Sequence, residues 1–266
     1  MFNFRNFFVK PYMKAHGYQL VLEVGAEAGH NTAALLELPS ISTIHVIDPC
    51  IGHAIHLEQR FENNPRIIIH KGLSLEFFPK ITKIFDCILL DGDHNWYTVH
   101  QELAMIRKHH LLREGGTILL HDAAWPYGRR DMYFLPETIP EAFRLPYAKK
   151  GMVKSQSELV EGGVNPHLFN ALSEGGPRNG VLTAIEDFLQ EHEDEYQFFV
   201  TDHEFGLGVL LFRGKWHQRL FLHGWKVYVD LYHVMFIFTA RTKCFFQKQF
   251  PKSCRFLKRI ASRKPM

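Results

Sequence analysis

Between residues 19 and 122 the chain alternates short aliphatic runs with longer stretches in which apolar positions recur every three or four residues. The runs QLVLEV (19–24), STIHVID (42–48), RIIIH (66–70), FDCILLD (85–91) and GTILLHD (116–122) predict five strands. Each is too short and too rich in aliphatic and β-branched residues for a buried helix. Between them, HNTAALLEL (30–38), AIHLEQRFEN (54–63), a short SLEFFPKI turn (74–81) and NWYTVHQELAMIRKHHLL (95–112) carry helical spacing. Such alternation predicts parallel βαβ units in a doubly wound α/β sheet.

After Asp122 the pattern stops for about 55 residues rich in Pro, Gly and aromatics. So long a loop in a compact domain is usually functional, and residues 123–178 are expected to form a substrate lid. Regular patterning resumes with a helix over 179–192 and two runs, 196–202 and 206–213, which would complete a seven-stranded Rossmann-like sheet. The catalytic domain is thus expected over 1–213, with an extension over 214–266.

Composition adds one asymmetry. A chain of 266 residues, 46% hydrophobic, can bury a sizeable core. Its net charge of +3 conceals 12 Lys and Arg against the single acid Asp230 in residues 214–266, which leaves 19 bases and 27 acids in the rest. That basic, aromatic extension is expected to be helical and to meet an anionic membrane surface or a partner protein. Nucleic acid ranks below both, because no recognised module is present. Lys226 and Asp230 interrupt its apolar run, which is shorter than the ~20 residues a bilayer span needs. Cys50, Cys87, Cys244 and Cys254 show no metal-ligand spacing, and Arg5 and Lys10 break the apolar N-terminus, so a cytoplasmic protein without a leader is expected.

The loop Gly25-Ala26-Glu27-Ala28-Gly29 joins a strand to a helix, where glycines allow tight turning and close approach of a ligand. In a dinucleotide site Glu27 would occupy the middle glycine of GxGxxG, and a pyrophosphate would meet a carboxylate. A phosphate-free, cationic ligand suits this loop and the preceding Glu23 better. Asp48 ends the second strand about 20 residues on, where a carboxylate can accept hydrogen bonds from ribose hydroxyls. Gly72 and Ser74 follow the third strand, where an adenine or merely a solvated turn would lie.

Three of these segments, LEVGAEAG, VIDP and LLDGDH, together resemble the class I S-adenosylmethionine-dependent methyltransferases, over roughly residues 18–213. Within that class, DGDHNWYTVHQEL and GGTILLHDAAWPYG resemble the branch of macrocin O-methyltransferases and cephalosporin hydroxylase-like proteins. The resemblance implies S-adenosylmethionine at Glu23, Gly25, Glu27, Gly29, Asp48, Gly72, Ser74 and Asp91, and a hydroxyl acceptor, a sugar or glycosylated product.

Asp91, Asp93, His94, His121 and Asp122 all fall at the carboxyl edge of the expected sheet, where ligands bind. If the fourth and fifth strands are neighbours, Asp91 and Asp122 can converge on a hard cation. The resembling enzymes hold Mg²⁺ with an acid at the first position and a pair at the second. His121 departs from that pair and shifts the preference toward Mn²⁺ or another transition ion, or toward no metal. His94 is the expected base for the acceptor hydroxyl, with Asp91 or Asp93 as alternatives and helix capping as its structural reading.

Trp125, Tyr127, Arg129, Arg130 and Asp131 follow directly and are expected to bind the acceptor, with Asn165, Asn170, Glu174 and Arg178 near the far hinge of the lid. Two other readings stay open: a nicotinamide-dependent oxidoreductase on the same fold, and a catalytically silent binding protein.

Overall fold

The computed structural model describes residues 4–228. Seven strands form one sheet: β1 (Leu20–Val24), β2 (Thr43–Asp48), β3 (Ile67–Lys71), β4 (Phe85–Leu90), β5 (Leu112–His121), β9 (Tyr196–Thr201) and β10 (Leu207–Phe212). Their order is β3-β2-β1-β4-β5-β10-β9. The first five are parallel, and β10 runs antiparallel to both of its neighbours. The order reverses beside β1, and right-handed crossovers then put helices on opposite faces and open a crevice at the carboxyl ends of β1 and β4.

The sequence pattern follows from this placement. The central strands β1, β4 and β10 are buried almost end to end, so they read as mainly aliphatic runs. The edge strand β3 leaves Ile68 exposed. Helix α5 (Trp96–Lys108) starts at Asn95, whose side-chain oxygen accepts from the Thr98 amide at 2.8 Å, and buries Val99, Leu103 and Ile106. It packs against α6 (Val181–His192) and α4 (Ser74–Phe77).

Two expectations are corrected, and two segments carry structure that the pattern does not mark. The helix over 54–63 is a 3₁₀ turn, Gly52–His56, followed by one α turn, α3 (Leu57–Arg60). Helix α5 ends at Lys108 and β5 begins at Leu112, because His110 at φ +52° turns the chain and Leu111 and Leu112 enter the sheet core. The lid carries a small antiparallel sheet of β6 (Met132–Tyr133), β8 (Phe169–Ala171) and β7 (Tyr147–Lys149). Lastly, the N-terminal segment is built into the core. A π turn, Arg5–Val9, and α1 (Lys10–Ala15) bury Phe4, Phe8, Val9, Tyr12 and Met13 completely. The Tyr12 and Tyr18 hydroxyls both meet Thr117 Oγ1 of β5, at 3.0 and 2.9 Å.

Met1–Leu222 forms one compact unit and a second begins at His223. A helix starts at residue 216 and leaves Trp216 and Leu220 exposed, while most of the basic extension, 229–266, lies outside the described residues. Among the described residues no helix is long and apolar enough to cross a membrane.

Candidate active site

Strand β1 ends at Val24 and the chain turns at Gly25, φ +77°, against the loop that leaves β4. Glu27 and Gly29 also adopt positive φ, so the loop closes tightly before α2 (His30–Leu35). Asp48 organises it. One of its carboxylate oxygens accepts from the amides of Ala26 (2.9 Å) and Glu27 (3.1 Å), and the other from the Cys50 amide (2.7 Å). Asp48 also lines the large cavity at this edge of the sheet, so it both shapes the glycine loop and faces what the loop holds.

Glu23 does not line that cavity. It is buried beneath the loop, where Asn31 Nδ2 (2.7 Å) and Thr32 Oγ1 (2.5 Å) donate to it and fix the start of α2. Burial pushes its carboxyl up to about 7, against those two hydrogen bonds. A carboxyl raised in the folded state lowers stability progressively as pH rises from its unfolded value to its folded one, here from about 4.5 to about 7. Glu23→Gln should therefore gain on the wild type by roughly 1–3 kcal/mol between pH 5 and 7.5 in urea melts. Parallel profiles would show that Glu23 does not titrate in this window.

At the ends of β4 and β5, Asp91, His94, His121 and Asp122 bring one ligand atom each within 4.8 Å of the others. His121 Nδ1 lies 3.0 Å from Asp91 and 3.2 Å from Asp122; His94 Nε2 lies 3.5 and 3.3 Å from the same two carboxylates. Burial alone would lower His121, but the Asp91 charge and hydrogen bonds to both carboxylates outweigh it and raise it to about 9. Asp91 is held well below the usual carboxylate range because His121, together with His94, overcomes its burial. His94 is raised by Asp122 and Asp91 in spite of burial, yet neither of its ring nitrogens makes a hydrogen bond. Tyr127 stacks on the ring at 5.9 Å. Asp122 sits at φ +59°, a conformation a non-glycine residue holds only when its surroundings enforce it.

Asp93 lines the cavity but is engaged in structure: Asn95 Nδ2, Thr98 Oγ1 and the Phe134 amide all donate to it.

The expected acceptor residues are placed differently. None of Trp125, Tyr127, Arg129, Arg130 and Asp131 lines the cavity. Arg129 forks onto Glu186 at 2.5 and 2.7 Å. Arg130 is fully buried and donates to the carbonyls of Ala171 and Ser157, with Glu174 3.8 Å away. Asp131 accepts from the amides of Trp96 and Gly180 and from the Tyr133 hydroxyl, which ties the lid to α5 and α6. Trp125 packs with Tyr127 beside Met132 and Met152. Asn165 donates to the Tyr127 hydroxyl, Asn170 to lid carbonyls, and the Arg178 guanidinium lies over the Trp96 and Phe143 rings. These polar groups hold the lid together because the lid has little regular structure to satisfy its own backbone.

The cavity measures about 1030 Å³. Gly25, Glu27, Asp48, Gly72 and Ser74 line it together with the Asp91–Asp122 cluster; Met132, Phe134, Leu135, Ile139, Leu168 and Phe205 supply apolar wall. Among the described residues no Lys or Arg lines it, against seven carboxyl groups. Sequence reasoning missed that apolar wall and Glu102. The apolar residues carry no motif, and Glu102 reads as an ordinary polar helix position.

Residues 22–123 match the family model described as a methyltransferase domain. Over that segment the chain is similar to methyltransferase domains. The match covers both halves of the site, from β1 through the glycine loop to Asp122. A search of curated proteins finds no match. Among solved structures, similar chains include a Staphylococcus aureus protein assigned as a caffeoyl-CoA O-methyltransferase, at 13% identity, TM-score 0.46, over 77% of this chain and 80% of that one. Another is a Podospora anserina methyltransferase bound to S-adenosylhomocysteine, at 14% identity, TM-score 0.47, over 75% and 74%.

Proposed function

We propose that this methyltransferase domain takes S-adenosylmethionine as donor and methylates a hydroxyl of a small molecule held against the apolar wall of the cavity. The supporting observation is the charge of the cavity: seven carboxyls and no Lys or Arg among the described lining residues, with Glu27 in the glycine loop. A donor with an ammonium and a sulfonium is welcome there, whereas the pyrophosphate of a nicotinamide dinucleotide would meet Glu27 and Asp48 at the glycine loop. When bound, S-adenosylmethionine supplies an electrophilic methyl group. The protein's part is to hold the acceptor oxygen in line with it and to take the hydroxyl proton.

His94 is the base in this reading. Its two ring nitrogens are buried without hydrogen bonds, and Asp91 and Asp122 stabilise the imidazolium that forms. Asp91, His121 and Asp122 would hold a divalent ion. Their separations suit donors about 2.0–2.2 Å from one centre, and the imidazole favours Mn²⁺ or another transition ion over Mg²⁺. The ion would supply Lewis acidity toward the acceptor oxygen.

Arg129 and Arg130 are taken up by the lid, so among the described residues the cavity offers no Lys or Arg to a phosphate or carboxylate. It suits an acceptor with an uncharged apolar body. A sugar ring could enter only as part of such a molecule. The basic extension, with Trp216 and Leu220 exposed at its start, suits docking to an anionic membrane surface or a partner protein.

Calorimetry tests the donor: S-adenosylhomocysteine should bind in the micromolar range and NAD should not. The reverse result would favour the oxidoreductase, and binding of neither the silent protein. For the ion, Mn²⁺ titrated in by electron paramagnetic resonance should saturate at one site per chain and lose that site in His121→Ala. No Mn²⁺ binding to the wild type would sink the metal. Retention of Mn²⁺ in His94→Ala, with turnover lost, would separate base from ligand.

A further inference from the structure

One buried carboxyl in the cavity is used neither by the cluster nor by the glycine loop. Glu102 lies on α5 among the core residues Val99, Leu103 and Ile106 and is 2% exposed. Its one hydrogen bond comes from Ser74, whose hydroxyl donates to Oε1 at 2.6 Å. Both side chains line the cavity, as do Gly72 and Leu73. A carboxyl on the packed face of a helix is costly unless its oxygens are satisfied. A single partner leaves Glu102 short, and the open side of that deficit is the cavity.

The position of this group relative to Asp48 says what could complete it. The Gly72 amide donates to the Asp48 carbonyl at 3.0 Å, so the loop after β3 is fastened to the residue that faces the ribose in the reading above. A nucleoside whose ribose sits at Asp48 and whose reacting end points toward Asp91 has its base free to reach the neighbouring loop of Gly72 and Ser74. We propose that Glu102, seated by Ser74, reads the 6-amino edge of the cofactor's adenine. The inference rests on the donor reading.

The chemistry is complementary. The adenine edge offers an amine donor beside a ring-nitrogen acceptor, and a carboxyl in its acid form offers a carbonyl acceptor beside an O–H donor. Burial pushes Glu102 up to about 8; the Ser74 hydrogen bond opposes this, the Asp93 charge adds to it and His94 opposes it again. Glu76 on α4 lines the same cavity and adds a further acid. At neutral pH the group is therefore chiefly the acid. Ser74 fixes one oxygen and leaves the remaining edge of the carboxyl for the base.

The test compares two ligands on the full chain by calorimetry: S-adenosylhomocysteine and its 6-deamino analogue, in which purine riboside replaces adenosine. The wild type should bind the parent about tenfold more tightly, the worth of one desolvated hydrogen bond. In Glu102→Leu both should bind within twofold of each other, at the weaker affinity. Glu102→Gln, which keeps a donor and an acceptor, should retain the preference. If leucine does not fold, Glu102→Met, closer in shape, takes its place. A residue that merely supported the helix would weaken both ligands alike, so an undiminished preference in Glu102→Leu or Glu102→Met overturns the proposal. Failure of S-adenosylhomocysteine to bind the wild type is a different result, because it overturns the donor reading and this inference with it.

Discussion

Asp122→Ala is expected to lower kcat by about a thousandfold or more while leaving the Kd for S-adenosylhomocysteine within about threefold. The asymmetry comes from where the carboxylate sits. Asp122 Oδ2 lies 3.2 Å from His121 and 3.3 Å from His94, and makes no hydrogen bond to the glycine loop. Its removal strips the cluster of a donor and leaves both imidazoles with one carboxylate instead of two. The ion would lose a ligand, and the imidazolium formed on His94 would lose half of its stabilisation.

Asp48→Ala should do the opposite. Three backbone amides lose their acceptor, the loop that must meet the donor loosens, and S-adenosylhomocysteine should weaken by roughly 30-fold or more, because each orphaned amide costs about 1–3 kcal/mol. Calorimetry and single-turnover rates on the two variants check both arms. Equal loss of cofactor affinity in both would remove the division of the site into a donor half and a reaction half.

That division was partly visible in the sequence, and the reason is geometric. Strand ends are legible because an aliphatic run stops at a polar residue, so Asp48, Asp91 and Asp122 could each be placed at the carboxyl edge without knowing the fold. Their convergence needed only the neighbouring of β4 and β5, which the parallel pairing provides. The lid was illegible for the converse reason. Arg129 and Arg130 announce themselves as ligand binders by type, but burial decides their role, and Arg130 spends its guanidinium on main-chain carbonyls. Phe134, Leu168 and Phe205 line the cavity without any periodic pattern to mark them. Glu102 was hidden by the amphipathic spacing of α5, in which a polar residue reads as solvent-facing. By sequence His94 suits a base or a cap; Asn95 is the cap, and His94 faces the two carboxylates.

Gly25→Ala is expected to abolish measurable binding of S-adenosylhomocysteine and to destabilise the protein by about 2–5 kcal/mol, from a strained left-handed alanine and a local overlap. At φ +77° an added Cβ would stand 2.3 Å from the carbonyl oxygen of Asp91 and 2.5 Å from Gly92 Cα. No flexible side chain is there to yield, only main chain. The loop after β1 would have to retreat from the loop after β4, and with it the amides held by Asp48 and the backbone that carries Asp91. One methyl group would thus disturb both halves of the site, although Gly25 itself offers no functional group to either. Thermal melts and the same calorimetric titration check it. A variant that melts like the wild type and binds the ligand within threefold would mean that the two loops are not in contact as described, and the joint construction of the site from β1 and β4 would fall with it.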